Sequence, residues 1–258
     1  MLPESGRIGC IRCFSGCGNV VFNETRREDS DWRITANPLA WGNARNPSVI
    51  VLGFSKGPTQ ANALLTQPHC DIAYKGKRKN VGKILSHIGL LPKFVDGDYE
   101  SAVTNAIEDR SGTFHFGSIV RCTVERFDLK KECWKGSGGA MLDKFVATSF
   151  GQEIANNCTD EFLSQLPPSV KLVVMFGLGT RLNYVKAGFD LYRAARNGTW
   201  RMINEVAYTD NSIVVVHVEH FASQGANIFR WLGIGLHARA RYGHLAKDAV
   251  NLLGQLNL

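Results

Sequence analysis

The stretch Ser48-Val49-Ile50-Val51-Leu52-Gly53-Phe54-Ser55-Lys56-Gly57-Pro58 is a short Val/Ile-rich run that stops on a glycine-bounded turn. Such a run reads as a buried strand, and Gly53 and Gly57 permit a tight exit from it. Three further runs have the same character: Ser118-Ile119-Val120, Leu172-Val173-Val174-Met175-Phe176 and Ile213-Val214-Val215-Val216. Helical patterns fall between and after them, at Asn80 to Ile88, Phe150 to Leu166, Ala226 to Leu236 and Ala238 to Leu253. Alternating strands and helices predict an α/β protein, a three-layer α/β/α sandwich around a mostly parallel four-stranded sheet. Ligands of such folds sit at the carboxyl ends of the strands, so the residues after each strand are the first candidates for chemistry.

Two stretches interrupt the alternation. Residues 92–114 mix charge, Gly and Asp, and residues 123–148 contain Cys133, Trp134 and the turn Gly136-Ser137-Gly138-Gly139. Both read as insertions or long loops, and the chain reads as a single domain over 1–258. Apolar residues make up 44% of the 258, enough for a packed core without disulfides. No apolar run has membrane-spanning length and no apolar leader opens the chain, which predicts a cytoplasmic protein with no membrane partner. The formal net charge is +7, which favours an acidic partner such as nucleic acid. Lys75, Lys77, Arg78, Lys79 and Lys83 fall together, either as a solvated helix face or as phosphate contacts.

Seven cysteines are present, an odd number. In a reducing compartment clustered cysteines bind metal more often than they form disulfides. The pair Cys10 and Cys13, with Cys122 and Cys158 far downstream, suits a tetrathiolate metal or iron–sulfur site that pins the N-terminus to the domain. After the last strand run comes His217-Val218-Glu219-His220-Phe221-Ala222-Ser223-Gln224-Gly225-Ala226-Asn227. A histidine there is either a satisfied structural residue or a donor to a leaving group.

In their order these pieces resemble the uracil-DNA glycosylase superfamily, most closely its iron–sulfur branch. The resemblance runs through Cys10, Cys13 and Val20-Val21-Phe22, then Val49 to Gly57, Lys75 to Leu85 and Val120-Arg121-Cys122. It continues through Cys158 to Leu163, Pro167 to Gly177 and Val214 to His220, so it spans roughly Cys10 to Leu236. It implies a monomeric DNA-binding enzyme that flips a base into a pocket and hydrolyses its N-glycosidic bond. It also implies a structural 4Fe–4S cluster on Cys10, Cys13, Cys122 and Cys158, with zinc as the alternative and Cys17 as a possible substitute within the N-terminal pair. His220 matches the histidine that stabilises the departing base.

Two family features are missing. Where an Asp, Asn or Glu is usual in the first motif, this chain has Phe54-Ser55-Lys56. Where the uracil-reading Asn is usual, it has Ser118 beside Gly117. These departures predict a base other than uracil, such as a hypermodified pyrimidine of viral DNA excised in defence. A catalytically inactive DNA-binding relative and a conventional uracil-excising enzyme are the alternatives. The expected catalytic set is His220, Asp71 and Ser55, with Glu219 as a second carboxylate near the histidine. Phe54, Tyr74 and Ser118 are expected to hold the base, with Tyr74 as the stacking ring. Lys56, Ser223, Gln224 and Asn227 are expected to contact DNA.

Overall fold

The computed structural model describes residues 2–64, 66–94, 98–136, 141–223 and 226–255. Among these the strands are β1 (Gly6–Arg7), β2 (Arg26–Asp29), β3 (Trp32–Thr35), β4 (Leu39–Gly42), β5 (Val49–Gly53) and β6 (Phe114–Ser118). They continue with β7 (Thr123–Asp128), β8 (Cys133–Gly136), β9 (Leu172–Phe176), β10 (Arg201–Asn204), β11 (Ala207–Thr209) and β12 (Val214–Val218). The helices are α1 (Pro58–Ala63), α2 (Arg78–His87), α3 (Tyr99–Glu108), α4 (Leu142–Val146), α5 (Ser149–Leu163), α6 (Asn183–Ala195), α7 (Asn227–Trp231) and α8 (Ala240–Gln255).

The four expected strands form the parallel centre of the main sheet, in the order β6-β5-β9-β12. Every residue of these four strands is buried. Continuous Val/Ile runs do this because both faces of a parallel sheet are covered. The sheet has eight strands, however, not four: β4 and β1 extend it antiparallel beyond β6, and β11 and β10 extend it beyond β12. These additions are two to four residues long, too short to carry a strand pattern, and short edge strands also limit edge-to-edge pairing.

The second central strand starts earlier than Ser118-Ile119-Val120 suggested. It runs from Phe114 to Ser118, and Ile119 and Val120 lie in the turn beyond it, their amides donating to the Gly53 and Phe54 carbonyls at 2.9 Å. Arg121 and Cys122 therefore lie past the strand rather than at its end.

Residues 123–148, expected as an insertion or long loop, hold β7, β8 and α4. Strands β7 and β8 complete a second, antiparallel sheet of order β2-β3-β7-β8. Its strands are rich in charge and gain regularity from cross-strand partners such as Arg33–Glu125 at 2.8 Å. The other interruption, 92–114, carries α3, which packs along α2. Trp32 on β3 meets Phe145 of α4 at 5.1 Å between ring centroids, and Phe145 meets Phe54 at 5.5 Å. The second sheet is thereby joined to the turn that leaves β5. Residues 54–58, 119–122, 177–182 and 219–223 all emerge at the carboxyl edge of the parallel strands.

Candidate active site and thiol cluster

A narrow cleft opens at that edge. Its floor is Gly53, Gly117 and Ser118, one wall is Ser55, Lys56 and Gln60, and aromatic rings of Trp41, Tyr74 and Phe221 close it. About 20 Å³ of space remains inside, room for a water or so. A wider depression of about 360 Å³ near Asp143, Asn183 and Lys186 lies among α4, α5 and α6 and takes no residue from the ends of β5, β6 or β12.

Tyr74 is buried, and its ring meets Phe116, Phe176 and Phe221 edge-on at 6.0, 5.7 and 5.0 Å. Its backbone is left-handed, with φ of 53°, a strained state for a bulky residue that surrounding structure must hold. Its hydroxyl is buried without a partner among the described residues, and burial holds the phenol well above its ordinary pKa. Tyr74 thus lines the cleft as part of an aromatic box.

His220 is stacked on Phe221 at 4.4 Å, one ring behind the cleft wall. The Ala222 amide donates to its Nδ1 at 3.1 Å, so the neutral imidazole carries its proton on Nε2. Burial lowers its pKa to about 4, against the opposing pull of Glu219. At neutral pH the ring is an uncharged donor. Glu219 itself is not available to position water. It is buried and accepts from the His220 amide at 3.0 Å, the Ser223 hydroxyl at 2.5 Å and the Arg239 guanidinium. It is the clamp that shapes the histidine loop. The other strand-end histidine, His217, is structural: it is buried, bonded to the Gly177 carbonyl at 3.0 Å and the Tyr208 hydroxyl at 3.1 Å.

Several expected site residues are placed differently. Asp71 is exposed in a 3-10 turn beside Cys70 and does not line the cleft. Phe54 turns into the core against Phe145 instead of toward a base. Lys56 is 3% exposed and its ammonium donates to the Arg121 carbonyl, so it offers no surface charge to DNA. Ser118 lines the cleft, but its hydroxyl donates to the Val120 carbonyl at 2.7 Å. Ser55 lines the cleft, and its hydroxyl accepts from the Val124 amide at 3.4 Å. The Ser223 hydroxyl is taken by Glu219. Asn227 is half-buried at the start of α7, whose five residues are too few for a strong dipole site. Gln224 lies outside the described residues.

Other cleft residues were not legible beforehand. Gln60 is held by the Gly57 amide and the Ile72 carbonyl, both at 3.2 Å, and Trp41 by the His69 carbonyl at 2.7 Å. Neither sits in a motif. Among the described residues no carboxylate lines the cleft.

Of the four named cysteines, Cys13, Cys122 and Cys158 are buried and Cys10 is half-buried. Cys13 and Cys158 are hydrogen-bonded partners, and Cys122 senses Cys10, Cys13 and Cys158 electrostatically. Cys17 and Cys133 are exposed. Each of the four sulfurs receives an N–H: Cys10 from the Arg12 amide, Cys13 from Asn157 at 3.8 Å, Cys122 from the Asn37 amide and Cys158 from the Arg121 amide. Such donors suit sulfurs that bear negative charge. As free thiols they are strained in opposite directions. The Cys158 thiol, donating to Cys13, pulls Cys13 down, while Cys158 rises, and burial pushes Cys122 up to about 12. Among the described residues no three His, Cys, Asp or Glu side chains close around a single metal ion as they stand.

No protein-family model matches the chain, and no curated protein matches it. Among solved structures it is similar to the crystal structure of WT Pedobacter heparinus SMUG2, with 14% identity over 82% of this chain and 76% of that one. The TM-score is 0.35, and a likeness of that extent carries no argument of its own.

Proposed function

We propose that the protein is a DNA glycosylase that draws a base into the strand-end cleft and hydrolyses its N-glycosidic bond. The observation that carries this is His220: a half-buried, neutral imidazole with its proton on Nε2, seated on the ring that walls the cleft. A neutral donor there stabilises the anion that forms on the base as the bond to C1′ breaks. Water adds to the cationic sugar carbon, and Ser55 and Gln60 on the wall orient it. The cleft admits a base only after Tyr74 and Phe221 part, and either ring then stacks on it.

The target is a modified pyrimidine rather than uracil. Ser118 gives its hydroxyl to the backbone and Gly117 has no side chain, so this floor offers no side-chain amide to match a uracil edge. The partner is DNA, bound by one copy of the chain. Exposed Ile234 and Leu236 form the wedge that fills the gap left by the flipped base. The segment that bears them is tied to the histidine loop by Arg239 on Glu219. The thiolate-bound group on Cys10, Cys13, Cys122 and Cys158 is a structural 4Fe–4S cluster, with zinc as the rival. Iron, sulfide and zinc analysis of the purified protein separates them.

The lack of a carboxylate among the described cleft residues favours a second reading, a DNA-binding relative without base chemistry. Incubation with uracil-containing duplexes and a panel of modified phage DNAs, followed by abasic-site detection, decides between them. Release from modified DNA is the expected result. Release of uracil alone overturns the substrate, and binding with no abasic sites overturns the enzyme.

A further inference from the structure

Residues 72–94 contain six Lys or Arg and residues 220–247 contain four, and neither segment contains an Asp or Glu. Ten of the chain's 30 basic residues thus lie in two carboxylate-free stretches, and the other 20 stand against 23 acidic ones. The positive charge of the molecule belongs to these stretches rather than to its whole surface, and the fold packs them together. Asn80 of α2 donates to the Phe221 carbonyl at 3.0 Å, the Lys83 ammonium lies 5.3 Å from the ring centroid of Phe229 on α7, and His87 meets Trp231 at 4.9 Å. Lys77, Lys79 and Arg230 are exposed, and Lys83 is half-buried on the exposed ring of Phe229. Among the described residues none of these four cations has an ion pair. Arg78, Arg239 and Arg241 are by contrast engaged, by the Cys70 and Ala73 carbonyls, by Glu219 and by Glu205. Solvated helix faces mix the two signs, whereas α2 and α7 carry no acid at all. Lys79 and Lys83 stand one turn apart on one face of α2, a repulsion that an anionic partner relieves. The row starts at the cleft: Lys77 lies three residues beyond Tyr74, and the carbonyl that Asn80 holds belongs to Phe221, the other ring of the wall.

We propose that Lys77, Lys79 and Lys83 of α2, with Arg230 of α7, form a track for the phosphate backbone of the DNA strand that enters the cleft. This rests on the DNA reading above and adds a surface outside the cleft to it. Lysines are flexible point charges that suit phosphates and read no base, so the track holds DNA of any sequence. The phosphates of a strand repeat about every 3.4 Å of duplex axis. Lys79 and Lys83 are about 6 Å apart along the helix and so reach different phosphates. Within the basic cluster of residues 75–83, Lys75 is tied to Gln67 and Arg78 to backbone carbonyls, which leaves the other three lysines for the track.

The test measures binding to a fluorescent duplex of ordinary bases by anisotropy over a salt series. It compares the wild type with a triple variant, Lys77→Gln, Lys79→Gln and Lys83→Gln, and with the same three positions changed to Arg. A control carries Lys130→Gln and Lys131→Gln, two exposed lysines between β7 and β8. Each lost phosphate contact lowers the slope of log affinity against log salt by about one. The triple Gln variant is therefore expected to lose about two to three units of slope and at least about tenfold in affinity at low salt, with the Arg variant and the control near wild type. If the triple Gln variant melts early, the single changes Lys77→Gln and Lys79→Gln at exposed positions are each expected to cost about one unit of slope. Wild-type affinity and slope in these variants overturn the track. So does an equal fall in the control, which would make net charge the cause. Loss of binding to phosphatidylserine vesicles with DNA affinity unaltered assigns the face to a membrane surface and also overturns it. The readout needs no base release, so lysine-dependent DNA binding without abasic sites sustains the track and overturns only the enzyme. Wild-type protein that binds no DNA overturns the DNA reading beneath it.

Discussion

His220 shows how far one residue's role depends on its surroundings. Two histidines flank Glu219 at the end of β12, and spacing alone leaves their roles open. Packing separates them: His217 has both ring nitrogens bonded in the core, while His220 keeps Nε2 as a donor beside the cleft. Replacing His220 with Ala is expected to slow base release by about 10²- to 10⁴-fold while leaving DNA affinity unchanged; single-turnover kinetics with a binding titration checks both. Two cleft glycines give a matched pair of tests. A Cβ on Gly117 would lie 1.5 Å from Arg121 Nη1, whereas one on Gly53 meets nothing within 4 Å. Gly117→Ala is therefore expected to cost about 1–3 kcal/mol by urea denaturation. Gly53→Ala should leave stability unchanged and lower base release, because its methyl narrows the cleft. A Gly53→Ala enzyme of full activity would place the base elsewhere. The first-motif residues were legible as a turn, but the side-chain directions were not. Phe54 and Lys56 flank Ser55, yet only Ser55 and Lys56 line the cleft, and the lysine is buried.

At the scale of elements, the most consequential difference lies between α7 and α8. The apolar spacing from Ala226 to Leu236 predicts one helix, but α7 ends at Trp231, and Gly233 and Gly235 take φ of 84° and 80°. These left-handed glycines turn the chain and leave Ile234 and Leu236 exposed, while Trp231 and Ile228 stay in the core. This turn is hidden in the sequence because Ile234 and Leu236 continue a helical apolar pattern. Leu236→Gln is expected to slow base flipping several-fold with little change in stability. A fluorescent base analogue beside the target site reads the first, and a thermal melt the second. Flipping at the wild-type rate would remove this turn from the DNA interface. Among the described residues no helix is long and apolar enough to cross a membrane.

At the scale of the whole molecule, desolvation lowers the pKa of His115 to about 3 and of His217 and His220 to about 4, and keeps these rings neutral. In the unfolded chain each takes a proton below about pH 6.5, whereas the folded protein resists until about pH 4 or lower. Their stabilisation is thus complete above pH 6.5 and is lost as pH falls toward 4, at up to about 1.4 kcal/mol per pH unit for each. Urea midpoints at pH 7 and pH 5 should show a marked fall, and His217→Gln should make it shallower. A midpoint independent of pH over that range would rule the account out. What the sequence by itself determined is the parallel centre, β5, β9 and β12 above all, because continuous Val/Ile runs have few stable states other than a strand covered on both faces. Tertiary structure alone decided the second sheet, the exposure of Asp71, the burial of Lys56 and Arg121 and the place of Gln60 and Trp41 in the cleft. Each of these depends on partners distant in the chain, and residue type and spacing carry no information about which distant partner a side chain will meet.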